Sequence, residues 1–189
     1  MTASSNTTTG TTTTWKIDPA HTLVEFTAKH MMITNVRGRF ANVEGSIRVD
    51  EANPNDSSVT VELEAASIDT RVEQRDQHLR SADFLDAEQF PKVTFRSTGV
   101  EGASFQPGES FRVTGDLTIR GTTRKVVLDA TFDGRGRDPW GGERVSFSAD
   151  AKIDRRDFGL TWNTALETGG VLVGNELKIH IEAQAVLEA

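Results

Sequence analysis

Four histidines, His21, His30, His78 and His180, are the side chains best suited to proton transfer or metal ligation near neutral pH. No two of them stand at a zinc-type spacing. The chain has no cysteine, so a metal site would have to recruit carboxylates from separate strands. Asp18 precedes His21 by three residues, close enough for the two to meet in a turn. Serines are plentiful, yet none occupies a Gly-x-Ser-x-Gly elbow. Glu62 and Glu64 alternate onto the polar side of a strand, and Asp83 with Asp86 reads as solvated surface. Gly134-Arg135-Gly136, followed by Gly141-Gly142, opens no helix after a parallel strand and reads as a loop, not a phosphate cradle. Asp157-Phe158-Gly159 matches a kinase magnesium motif only as a tripeptide. The expectation is a protein with no catalytic residue, no metal and no cofactor.

Residues 71–90 invite a different chemistry. Arg71, Arg75, Asp76, His78, Arg80, Asp83 and Asp86 bring both signs of charge beside Leu79, Phe84, Leu85 and Phe90. One reading is a salt-bridged surface helix whose apolar residues cap a sheet. The other is an entrance whose apolar side touches a ligand tail while its polar side holds a head group. Both fit the residue types.

The elements that must position these groups alternate with period two. Val24, Phe26, Ala28 and His30 share one strand face, and similar apolar faces recur at 43–49, 59–65, 93–95, 111–119, 126–132, 145–153 and 177–187. His30 falls at the end of its face, where a rim histidine bonded to a neighbour is the ordinary account; His180 falls on a polar face. Asn53-Pro54-Asn55-Asp56, Gln106-Pro107-Gly108, Arg120-Gly121-Thr122 and residues 134–142 supply the turns between segments. Residues 67–90 break the alternation, and helix formers over 76–82 predict one short helix there. Eight antiparallel segments with a single apolar face must curl into a barrel or pack as two sheets. Gly45, Gly115, Ala28, Ala149, Ala151, Ala183 and Ala185 are small residues on that face. They either leave a hollow for a ligand or relieve crowding where the barrel narrows.

The chain has 189 residues with 21 basic and 28 acidic side chains, a formal charge of −7. That balance argues against nucleic acid as a partner and against binding to anionic membrane surfaces by charge. Without cysteine there are no disulfides, iron–sulfur clusters or thiol nucleophiles. No run reaches the roughly 18 apolar residues of a membrane span, so no stable membrane insertion is expected. Residues 1–14 hold ten Ser or Thr, no charged side chain and no apolar run. They read as a disordered tail rather than an export signal, preceding one domain at 15–189, and the location expected is cytoplasmic.

Seven motifs, in order and spanning nearly the whole folded chain, resemble the YceI-like family, lipocalin-like proteins regarded as polyisoprenoid binders. They are Asp18-Pro19-Ala20-His21-Thr22 with Val24 and Phe26; His30; Val36-Arg37-Gly38-Arg39-Phe40; Arg75-Asp76-Gln77-His78-Leu79-Arg80-Ser81-Ala82-Asp83-Phe84; Phe90-Pro91-Lys92-Val93-Thr94-Phe95; Gly115-Asp116-Leu117-Thr118-Ile119-Arg120-Gly121; and Arg155-Arg156-Asp157-Phe158-Gly159-Leu160. The resemblance implies an all-β protein, an extended antiparallel eight-stranded lipocalin-like barrel with one short helical insertion. Its cavity would take a long-chain isoprenoid lipid or an isoprenoid quinone, for carriage or storage. On that footing the tail contacts expected are Val24, Phe26, Ala28, Val61, Leu63, Phe95, Leu117, Phe147 and Ile179. Phe84, Leu85 and Trp162 are expected at the entrance, and His30, Arg75, His78 and Arg155 at the head group. A packed barrel serving as an interaction or stress module, and an enzyme acting on a lipid or quinone, are the rival readings. A homodimer through residues 71–90 is compatible with the sequence.

Overall fold

Period-two alternation is realised as a single antiparallel sheet rolled on itself. The computed structural model describes residues 12–189. In chain order its strands are β1 (Thr12–Ile17), β2 (Leu23–His30), β3 (Thr34–Phe40), β4 (Val43–Asp50), β5 (Ser58–Glu64) and β6 (Ile68–Asp69). Helix α1 (Glu73–Arg80) follows, and then β7 (Lys92–Glu101), β8 (Ser110–Ile119), β9 (Thr122–Arg137), β10 (Glu143–Asp154) and β11 (Val173–Leu187). The order β1-β4-β5-β7-β8-β9-β10-β11 returns to β1, which pairs Trp15 with Leu187 and Ile17 with Ala185. This is the closed antiparallel eight-stranded barrel expected.

Eleven segments make eight strands because three are interrupted. β1 and β2 lie end to end along β11, β1 opposite its last residues and β2 opposite Val173 to Glu182. β4 pairs with β1 while β3 pairs with β2, and β5 pairs with β4 while β6 pairs with β3. Side chains stitch the breaks. Ser67 Oγ accepts from Asn42 N–H and donates to Glu64 O, at 3.1 and 2.7 Å. At the first break Asp18 accepts from Ala20 N–H, meets His21 Nδ1 at 2.8 Å and takes a 2.7 Å bond from Arg144 on β10. Arg144, with His21 second, holds the Asp18 carboxyl below the usual carboxylate range. The turn between Asp18 and His21 is thus a clamp between strands.

Three boundaries depart from expectation. Thr12, Thr13 and Thr14, assigned by composition to the tail, pair in β1 with Asp50, Val49 and Arg48; the rest of that expectation, 1–11, lies outside the described residues. β9 continues through Gly134 to Arg137, so the link to β10 is shorter than the 134–142 loop inferred from its glycines. The helix begins at Glu73, three residues before the stretch of helix formers suggests. Glu73 and Asp76 in its first turn and His78 and Arg80 in its last oppose the helix dipole favourably. Buried Asp76 accepts from the backbone N–H and hydroxyl of Thr70, tying α1 to the end of β6. Beyond β6, Leu79 and Leu85 take the place a further strand would fill, packing on the core that includes Ile68, Val93, Ile119 and Val126.

The small inward residues divide into two kinds. A Cβ on Gly38 would overlap the Phe26 ring, and one on Gly115 would overlap the Phe95 ring and the Arg96 carbonyl. A Cβ on Gly45 would meet the Thr60 carbonyl. For Gly45 and Gly115 the crowding account therefore holds: neighbours fill the missing side chain. Ala28, Ala149 and Ala183 instead border open space. Gly115→Ala should accordingly cost about 1–3 kcal/mol of stability by overpacking, read as a lowered midpoint in urea unfolding.

Candidate functional site: an apolar cavity with a polar mouth

Closing eight strands with alternating inward residues leaves an interior that side chains fill only in part. The cavity has a volume of about 290 Å³ and an apolar exposed wall. That is about twice the roughly 150 Å³ of an engineered apolar cavity that stays dry and binds benzene. It runs along β11 from Leu177 to Ala183, a span of about 20 Å at the rise of a strand. One end is blind. There Phe105, Phe111, Phe132 and Phe147 meet edge-on or tilted, with Phe132 and Phe147 centroids 5.3 Å apart. Behind them Trp15 is buried, with the Arg135 guanidinium over its ring.

The other end widens into a chamber of about 670 Å³. Phe26, Ala28, Leu79, Phe84 and Val173 border both spaces and form the throat. His78 stands edge-on to Phe84 and Trp162, at 5.0 and 4.6 Å between ring centroids, and its Nε2 lies 2.8 Å from Asp83 Oδ2. Arg75 donates from Nε to Thr70 Oγ1 and from Nη2 to Thr70 O, at 2.7 and 2.9 Å. Its side chain forms no ion pair with a carboxylate among the described residues, and Arg75 borders the chamber.

The nine side chains expected to touch a tail, Val24, Phe26, Ala28, Val61, Leu63, Phe95, Leu117, Phe147 and Ile179, all border the cavity. Phe84 and Trp162 lie at the mouth, whereas Leu85 borders only the inner cavity. His30, Arg75 and His78 border the mouth. Arg155 does not. It is 2% exposed on the cavity wall, and its guanidinium donates to the carbonyls of Gly174, Leu160, Trp162 and Val173. Burial pulls its pKa down from the ordinary arginine value. The head-group role expected for Arg155 thus gives way to a structural one, since four of its five N–H groups are engaged in fixing the 159–174 loop.

His21 and His180 lie elsewhere, His21 on Asp18 and His180 Nδ1 on Asp150. No group of three or more His, Cys, Asp or Glu converges to hold a metal ion among the described residues. Leu128 and Ile181 also border the cavity and follow from strand parity with their neighbours. Leu172 and Val173 come from a segment without any periodicity and carry no signal in the sequence.

Residues 15–185 match the family described as YceI-like domain. The chain belongs to the YceI-like family. Protein YceI of Salmonella newport is 40% identical over 149 residues, which is 78% of this chain and 76% of that protein. The solved Campylobacter jejuni YCEI protein is 32% identical, with a TM-score of 0.71 over 85% of this chain and 90% of that one. A polyisoprenoid binding domain from Saccharophagus degradans shares the fold, with a TM-score of 0.69 at 12% identity over 92% and 98% of the two chains.

If Arg155 is a brace, Arg155→Met leaves buried carbonyls without donors and should lower stability by about 3 kcal/mol. Hydrogen exchange should quicken across 159–174. A residue serving only a head group would leave both measurements unchanged.

Proposed function

We propose that this YceI-like protein is a non-catalytic carrier or store for a long isoprenoid chain, either a polyisoprenoid lipid or the tail of an isoprenoid quinone. The observation that supports this most is the blind apolar cavity of about 290 Å³, reached through a throat from a polar mouth. A prenyl tail in water exposes carbons worth about 0.8 kcal/mol each when buried, or roughly 16 kcal/mol gross for a 20-carbon chain. Association and ordering of the tail consume about 4–15 kcal/mol or more of that. What remains is consistent with micromolar to nanomolar binding. The wall discriminates little between one methyl-branched chain and another, so depth of the cavity sets the length that fits.

In this reading Phe26, Ala28, Phe95, Phe147 and Ile179 contact the tail, and Arg75, His30 and His78 meet whatever polar group ends it. The relative from Saccharophagus degradans is described as a polyisoprenoid binding domain, which agrees with this chemistry. A fully packed interaction module does not accord with the open interior.

Organic extraction of the purified protein followed by mass spectrometry tests the proposal, with an unrelated barrel protein as control. A stoichiometric prenyl lipid or quinone is expected. Ala149→Trp, which projects an indole into the cavity from β10, should remain folded and lose that lipid. An empty extract together with no binding of added farnesol or ubiquinone would overturn the carrier reading.

A further inference from the structure

The β2–β3 hairpin beside the mouth is built against local preference. His30 O accepts from Ile33 N–H at 3.0 Å, and Met31 and Met32 between them have φ of 52° and 60°. Two consecutive left-handed residues make the turn normally written Asn-Gly. Here both positions are methionine, a residue that gains nothing from that backbone conformation. Their side chains are also out in solvent: Met31 is 39%, Met32 58% and Ile33 74% exposed. Val72, 46% exposed on the loop before α1, borders the same mouth. Exposed large hydrophobic residues are few among the described residues, and this end of the barrel carries four of the six.

The tip of this net-negative molecule stands beside a group of unpaired cations. Lys178 on β11 lies opposite Thr27, which lies opposite Arg37 on β3, so both cations occupy one outward row beside Lys29. Arg71 and Arg75 flank Val72 across the mouth. None of these five has an ion-pair partner among the described residues, whereas nearby Asp69, Glu73 and Glu176 are each engaged by a cation and Asp83 hydrogen-bonds His78. Glu25, Asp86, Glu88, Asp157 and Glu167 are acids of the same strands and loops that form no ion pair among the described residues. The formal charge of −7 is that of the chain as a whole. At about 0.1 M salt, charges beyond a Debye length of about 10 Å contribute little, so a docked face responds to its own charges.

We propose that this end of the barrel docks on an anionic lipid bilayer, Met31, Met32 and Ile33 entering the headgroup region while Lys29, Arg37, Arg71 and Lys178 meet lipid phosphates. Flexible apolar side chains at a tip, ringed by long cationic ones, suit the interface between headgroup and acyl chain. Each cation near such a surface strengthens binding several-fold. The association is peripheral, since no helix among the described residues is long and apolar enough to cross a membrane. Docked this way, the mouth opens toward the compartment where isoprenoid chains reside. The docking itself stands on the tip and its charge; only its use in loading the cavity rests on the carrier reading.

Flotation of the full chain with vesicles tests this, comparing phosphatidylcholine alone with an equal mixture of phosphatidylcholine and phosphatidylglycerol. The protein should float with the anionic vesicles and be released by salt. Met31→Asn with Met32→Gly suits the turn better than the native pair, so it should keep or gain stability while weakening vesicle binding by roughly tenfold or more. Lys29→Gln with Arg37→Gln should weaken anionic binding and flatten its salt dependence. Trp140 is 88% exposed on the β9–β10 link at the opposite end, and Trp140→Ser should leave flotation unchanged. No flotation of the native chain, native-like flotation of the Met31/Met32 variant, or loss in Trp140→Ser would each overturn the proposal. Uptake of farnesol added from ethanol, measured in parallel, reports the cavity alone, so failure of docking and failure of the carrier reading are distinguishable.

Discussion

Everything in this protein depends on the closure of β1 against β11. The pairing is short, running from Trp15 opposite Leu187 to Ile17 opposite Ala185, yet it removes the sheet edges that the two strands would otherwise expose. It also commits every inward side chain to a shared interior whose size the strand number sets. Trp15 and Ala185, both nearly inaccessible, pack at that seam and shut the cavity at its blind end. The apolar face is thereby covered without being filled.

The interrupted strands explain how the same sheet acquires a mouth. β2 and β3 continue β1 and β4 beyond the breaks, but β6 is two residues long and pairs with β3 alone. A helix and an irregular segment complete the wall where a strand is lacking. Their side chains supply what strands do not: Thr70, Arg75 and His78 bring polar groups to the rim, while Leu79 and Phe84 keep the throat apolar. Arg155 secures the facing loop from inside. Binding chemistry and wall repair come from the same short stretch.

Much of this was legible in the sequence for one physical reason: in a barrel, strand parity sets which residues face inward. Val61, Leu63, Leu117 and Ile179 needed no tertiary information to be placed on the inner face. Parity failed where local composition misleads. Thr12 to Thr14 look like the polar stretch before them, but the open side of Val49 recruits them into β1. The 34–40 strand was invisible because Gly38 occupies an inward position that the Phe26 ring fills from across the sheet. Gly115 was equally compatible with hollow space and with crowding, and only the Phe95 ring that fills it decides for crowding. Arg155 resembled a head-group ligand by charge alone, and only the carbonyls converging on it reveal the brace. Trp162 and Leu172 sit on a loop whose path is set by that buried arginine rather than by any repeat.

The central claim is that an isoprenoid chain lies lengthwise in a cavity of finite depth. Its most direct test is the affinity of geraniol, farnesol, geranylgeraniol and longer polyprenols, measured by calorimetry or competition. Each added isoprene unit should tighten binding by roughly tenfold or more, the expectation for burying further methylenes net of ordering, until the roughly 20 Å of interior is filled. Beyond that length the gain should stop. A flat series, with the shortest alcohol bound as well as the longest, would contradict the account.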